Sequence, residues 1–232
     1  MPSESDAQQA PAWPDERLGA PLGTQPTRDG WTWWPSRVRW RSYLLLGLSL
    51  DLLFLVVYGG ANLINRGRSD HLQLYLPWEA GLPLVPAFIY VYFSIFLLFV
   101  LPPFALGVPS LRRLAGQLGL ATLIAGAVFV AVPTTIGFVS PAHDLELPMP
   151  FLLITRFDLP YNLVPSLHVV YGTLTSLALL RPSPGWARVL LSVWLCLMCG
   201  SVVLVQQHHL LDVAGGLLLA LLVRRFGETR SR

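Results

Sequence analysis

Two short runs hold the side chains able to do chemistry. The first is Gln206-Gln207-His208-His209-Leu210-Leu211-Asp212. On a helix, His208 and Asp212 stand four apart and share a face. A carboxylate so placed holds one imidazole nitrogen, leaves the other lone pair free to attack, and stabilises the cation that forms. His209 and Asp212 stand three apart, so spacing alone leaves the competing pairing open. The second run is Phe157-Asp158-Leu159-Pro160-Tyr161-Asn162-Leu163-Val164-Pro165-Ser166-Leu167-His168. Pro165 suits the first turn of a helix, where its missing N–H does no harm. Ser166 and His168 then lie near a helix N-terminus, whose unpaired N–H groups and partial positive charge favour an anion such as phosphate. Either run alone is weak, since a lone interfacial histidine is ordinarily a wet, amphipathic residue. Their value lies in falling together on the same side of the membrane that the chain is read to cross.

What must position them is a membrane bundle. Of 232 residues, 53% are hydrophobic and 12% charged, with a mean hydropathy of +0.55. A soluble domain carries about twice that charge fraction. Six apolar stretches run roughly over 42–63, 85–106, 114–134, 164–180, 186–205 and 208–226. Each is near the ~20 residues a helix needs to cross a bilayer, with the fourth and sixth short. Helices satisfy their own backbone groups in lipid. The expected fold is therefore an all-α integral membrane protein, a six-transmembrane-helix bundle over 37–232. Residues 1–36, rich in Pro, Gln, Ser, Asp and Gly, read as a flexible cytoplasmic tail.

The charge balance is topological. All 16 basic residues are Arg, clustered at the ends of apolar runs. With the N-terminus inside, thirteen fall on the inner side and three, Arg66, Arg68 and Arg156, on the outer. That bias obeys the positive-inside rule and excludes a nucleic-acid patch. The same topology puts all five histidines at the outer face, with His71 and His143 reading as surface residues. Cys196 and Cys199 lie within one apolar run and read as two small buried apolar residues. Gly215-Gly216 in the last stretch read as a close-packing surface. Asp51 is the one acid inside the first stretch, and its expected role is structural.

Pro165-Ser166-Leu167-His168 resembles the P-S-x-H motif of the type 2 phosphatidic acid phosphatase superfamily. Ser201 with His208-His209-Leu210-Leu211-Asp212 resembles its S-R-x5-H-x3-D motif. The resemblance implies a phosphohistidine mechanism without metal or cofactor. His208 attacks phosphorus, Asp212 orients His208, and His168 protonates the leaving group, then activates water or an acceptor hydroxyl. Ser166 holds phosphate oxygens. The substrate implied is a lipid phosphate, and the expected setting is a bacterial inner membrane with the site facing the periplasm or exterior.

Two departures stand out. The superfamily's K-x6-R-P motif is missing, and Val202 stands where the third motif has Arg. Arg156, ten residues before Ser166, is nominated as the substitute phosphate clamp. The missing basic motifs, together with Asp158 and Asn162, make the chain more similar to the branch of inositol phosphorylceramide and sphingomyelin synthases. Arg156, Asp158, Asn162 and Ser166 are the expected substrate-binding set. Hydrolysis leads, transfer of a phospho-headgroup to a lipid hydroxyl is the alternative, and a non-enzymatic scaffold or flippase comes third.

Overall fold

A computed structural model describes residues 28–138, 147–151, 154 and 161–229. Arg156, Asp158 and His143 lie outside the described residues. The described residues are helical apart from loops and one isolated bridge, Leu72 to Thr134.

Helix α1, Arg37–Phe54, starts where Ser36 accepts the Arg39 N–H as an N-cap. It runs through a wide π turn, Leu55–Gly59, into α2, Gly60–Arg66, making one apolar rod of 30 residues. The second apolar stretch does not form one helix. It breaks into α3 (Phe88–Phe93), α4 (Ile95–Val100) and α5 (Pro102–Ala105). The reasons are local. The Ser94 hydroxyl donates to the Val91 carbonyl and competes with the helical ladder. Pro102 and Pro103 remove two backbone donors.

Helix α6, Val108–Ala131, begins six residues before the expected 114 because Pro109 fits its first turn. Then come α7 (Leu167–Leu180), α8 (Gly185–Leu204) and α9 (Leu210–Thr229). Pro165 does not open α7 as expected; Ser166 is the N-cap and Pro165 precedes it. Gln206, with φ of 55°, turns the chain sharply between α8 and α9.

Three helical segments are long and apolar enough to cross a membrane: Arg37–Arg66, Val108–Ala131 and Gly185–Leu204. Phe88–Val100 and Leu167–Leu180 are apolar but shorter. Helix α9 has the length, yet Asp212 at one end and Arg224 and Arg225 at the other interrupt its apolar run. All six expected stretches are thus helical, while the long apolar spans number three among the described residues.

The core is the seam of α6, α7 and α9, where Ala121, Ala125, Phe129, Leu174 and Val223 are buried. Leu44, Leu48, Leu52 and Leu55 form an exposed apolar stripe on the first rod. Water does not tolerate so long a stripe, but lipid does. Cys196 is exposed on α8, so it is not the buried residue expected.

The two ends of the bundle are tied separately. At one, Asp29 accepts from the Gly107 N–H and the Ser110 hydroxyl at 2.8 Å each, and the Trp31 indole donates to Ser183. Residues 29–32, near the end of the expected tail, are therefore held against α5, the start of α6 and the turn before α8. At the other end, Asn65 donates to the Phe129 carbonyl at 2.9 Å, and the Thr134 hydroxyl accepts the N–H groups of Leu163 and Val164.

Gly215 and Gly216 do provide close packing. A Cβ on Gly216 would stand 2.8 Å from the Ser166 carbonyl oxygen and 3.0 Å from Val169 Cβ. Gly216→Ala is expected to lower stability by about 1–3 kcal/mol, the usual effect of overpacking a close contact. Unfolding in detergent, followed by circular dichroism, reads this directly. A fully stable Gly216→Ala would show that α7 moves away from α9 without penalty.

Candidate active site

The two chemical runs meet at the end of the bundle opposite Asp29 and Trp31. Their link is a backbone hydrogen bond: the Ser166 N–H donates to the Asp212 carbonyl at 3.0 Å. Ser166 is fully buried and its hydroxyl accepts the Val169 N–H, fixing the start of α7. His168 is therefore held in the first turn of that helix. Its ring stacks on Tyr92 of α3, with centroids 3.9 Å apart and planes 19° apart. The ring also bonds to the Tyr92 backbone, and Nε2 is buried without a partner. The bond to Tyr92 is thus made at Nδ1, and Nε2 is the ring nitrogen left without a partner.

Asp212 settles the pairing that spacing left open. Its carboxylate has no solvent exposure. Oδ2 accepts the His209 backbone N–H at 2.8 Å and lies 3.4 Å from His208 Nδ1. His208 is the residue whose ring faces this carboxylate. The approach is longer than a formed hydrogen bond, as is common where such bonds tighten only around substrate. His168 and His208 are brought to the same end by the Ser166–Asp212 hydrogen bond, which ties the first turn of α7 to the first turn of α9.

His209 turns elsewhere. Its Nε2 accepts the Gly137 N–H at 3.2 Å, so that nitrogen carries a lone pair and the ring proton is on Nδ1. Nδ1 lies 3.7 Å from Glu79 Oε2. Glu79 is a residue that the sequence reading overlooked. It is wholly buried, and its carboxylate accepts the Leu76 N–H at 2.8 Å and the Leu210 N–H at 2.9 Å. The second bond makes it a cap for α9 supplied from 131 residues away. Two carboxylates, Asp212 and Glu79, thus meet the positive end of α9. A single acid in a Trp-Glu-Ala loop shows no periodicity, and so gave no signal. Tyr92 likewise looked like one more aromatic in an apolar run.

Asn162, expected in substrate binding, is buried at 3% exposure with both polar ends engaged by protein. Its Nδ2 donates to the Tyr58 carbonyl at 3.0 Å and its Oδ1 accepts from Asn65 at 3.1 Å. The geometry is that of a clamp between the first rod and the approach to α7. Val202, at the position where the third motif carries Arg, is fully buried among Ile89, Val169 and Met198. Its carbonyl accepts the N–H groups of Gln207 and His208 at 3.1 and 3.0 Å. That position braces the turn into His208. Arg68, on the same end of the bundle, is engaged with Asp70 at 2.6 Å and holds that exposed carboxyl down at about 2.

The sequence profile of the PAP2 superfamily matches residues 71–225, which contain Glu79, Tyr92, Ser166, His168, His208, His209 and Asp212. No curated protein matches the chain.

Removing Glu79 is expected to expose how α9 is held. Glu79→Ala leaves two buried N–H groups without acceptors and is expected to destabilise by about 2–3 kcal/mol. Glu79→Gln keeps an acceptor and recovers most of that loss. Detergent unfolding of both variants tests the assignment, and equal stability of Glu79→Ala and wild type would refute it.

Proposed function

The chain belongs to the PAP2 superfamily, whose members are generally phosphatases or phosphotransferases acting on lipid phosphates, and from that premise we propose that it hydrolyses a lipid phosphate through a phosphohistidine. The observation that carries this reading is the meeting of His208, a buried Asp212 carboxylate 3.4 Å from its Nδ1, and the unpartnered Nε2 of His168 on the next helix end.

The steps follow from those positions. Asp212 holds the His208 proton on Nδ1, so Nε2 carries the lone pair. Nε2 attacks phosphorus, an N–P bond forms, and the bond from phosphorus to the lipid oxygen breaks. That oxygen takes a proton from Nε2 of His168. Water then enters, gives its proton back to His168, and its oxygen displaces His208 from phosphorus. The amides of the first turn of α7 that the Ser166 cap leaves free would meet an anion favourably, and the buried Ser166 hydroxyl has only its proton to offer it. Arg156 is the proposed charge clamp and Asp158 a further contact.

Transfer to a lipid hydroxyl is the second reading. The absence of K-x6-R-P and the buried Val202 favour it, as they do the branch related to inositol phosphorylceramide and sphingomyelin synthases. The proposed setting is six spans in a bacterial inner membrane with the site on the outer side.

Purified protein in detergent with EDTA is given phosphatidic acid, a polyprenyl diphosphate, and ceramide mixed with phospholipid. Free phosphate and lipid masses are followed. Phosphate release is expected from wild type. It is expected to vanish in His208→Ala and to fall by about 10²–10⁴ in His168→Ala, the usual worth of a general acid–base group. A new phospholipid without free phosphate moves the assignment to transfer. Turnover surviving in His208→Ala sinks the phosphohistidine.

Arg156→Ala tests the clamp separately. Affinity for the lipid phosphate is expected to weaken by about 10-fold, a charge-assisted hydrogen bond's worth. Unchanged turnover and affinity would remove Arg156 from the site.

A further inference from the structure

Below His168, between α1, α4, α6 and α7, lies a cavity of about 520 Å³. That size is within the range of small-molecule sites. His168, Tyr171 and Thr175 line it at spacings of three and four, so one face of α7 forms its back wall. From His168 to Thr175 the wall runs about 10 Å along the helix. Leu50, Phe99 and Leu118 close it from three other helices.

The two tyrosine hydroxyls of this lining are satisfied, while Thr175 Oγ1 and His168 Nε2 are buried without a partner. The Tyr43 hydroxyl donates to the Phe99 carbonyl at 2.8 Å. The Tyr171 hydroxyl shares a 2.6 Å hydrogen bond with Thr122, whose own proton goes to the Leu118 carbonyl. Asp51 is the one carboxylate in the lining, and it is exposed, which marks the mouth rather than the interior. Small residues hold the space open. A Cβ on Gly47 would meet no atom within 4 Å, and Ala115 lines the opposite side.

The geometry points to this cavity as the seat of a hydrocarbon chain of the lipid whose phosphate reacts at His208. The inference rests on the lipid-phosphate reading above and adds where the chain goes. His168 lines the cavity and stands two residues from Ser166, whose N–H is bonded to the Asp212 carbonyl, so head and chain sites are continuous. A lipid bound this way keeps its chain inside the protein, reaching it through the gap between α1 and α4. An apolar chain, and no polar headgroup, suits a lining made mostly of Leu, Ile and Phe side chains, in which the buried polar atoms without a partner are Thr175 Oγ1 and, at the reacting end, His168 Nε2.

The test fills the cavity. Gly47→Phe and Ala115→Phe are made separately, and folding is checked by gel filtration and thermal unfolding. Turnover is measured on long-chain phosphatidic acid and on p-nitrophenyl phosphate, which has no chain. The folded variants are expected to lose about tenfold in kcat/KM on the lipid, the worth of roughly two buried methylenes, and to keep their rate on the aryl phosphate. Equal losses on both substrates, or no loss on either, overturns the cavity assignment.

A second arm needs no turnover. Phosphatidic acid with a diazirine in its chain is photocrosslinked to His208→Ala protein and the adducts are mapped by peptide mass. Labels on Phe99 or Leu118, competed by unlabelled lipid and lost in Ala115→Phe, support the assignment. Labels confined to the outward stripe of Leu44 and Leu48 refute it. Failure of wild type on every substrate, with cavity labelling intact, refutes the hydrolytic reading and leaves the chain site standing.

Discussion

The structure depends on one close approach. The Ser166 N–H reaches the Asp212 carbonyl, and this joins two runs that lie more than forty residues apart. The contact forms only because α9 carries no side chain at Gly216, beside the Ser166 carbonyl. Everything reactive is referred to that point. His168 follows Ser166 by two residues on α7 and His208 precedes Asp212 by four at the mouth of α9. A shift of either helix moves a histidine relative to a buried carboxylate that has no water to compensate. The glycine and the acid are parts of one device.

Around this centre, the other end-loops act as braces. Glu79 holds the start of α9 from the first long loop, and Thr134 holds the approach to α7 from the second. Asn162 and Asn65 tie that approach back to the first rod. In a membrane bundle these polar contacts supply specificity of position that lipid-like packing between apolar helices does not. It is notable in this respect that buried polar side chains such as Glu79, Asn162, Ser166 and Asp212 gather at one end.

Much of this was legible in the chain. The apolar stretches, the i,i+4 pairing of His208 with Asp212 as one option and the glycine surface were readable from local spacing, while the placing of the two runs on one side came from the distribution of Arg along the chain. His208 against His209 was not, since two neighbouring histidines both lie within reach of Asp212 and only the turn at Gln206 decides between them. The breaks at Ser94 and Pro102 were hidden inside an uninterrupted apolar run. Glu79 was invisible for a different reason: its partners are Leu76 and Leu210 backbone groups, and a contact spanning 131 residues leaves no local pattern. Anchoring of residues 29–32 was missed likewise, because Asp29 and Trp31 find their partners at the start of α6 and in the turn before α8.

Helix α7 has a mechanical consequence through its length. At 14 residues it is about 21 Å long, roughly 9 Å short of the hydrocarbon thickness of a typical bilayer. Whichever surface its Arg181 end is anchored to, its His168 end falls short of the opposite one. The first rod, with 30 residues, has no such deficit. The shortfall is made up by protein and not by lipid: α7 is buried against α6, α8 and α9, and the buried residues Asn162, Leu163, Pro165 and Ser166 continue the chain beyond its His168 end.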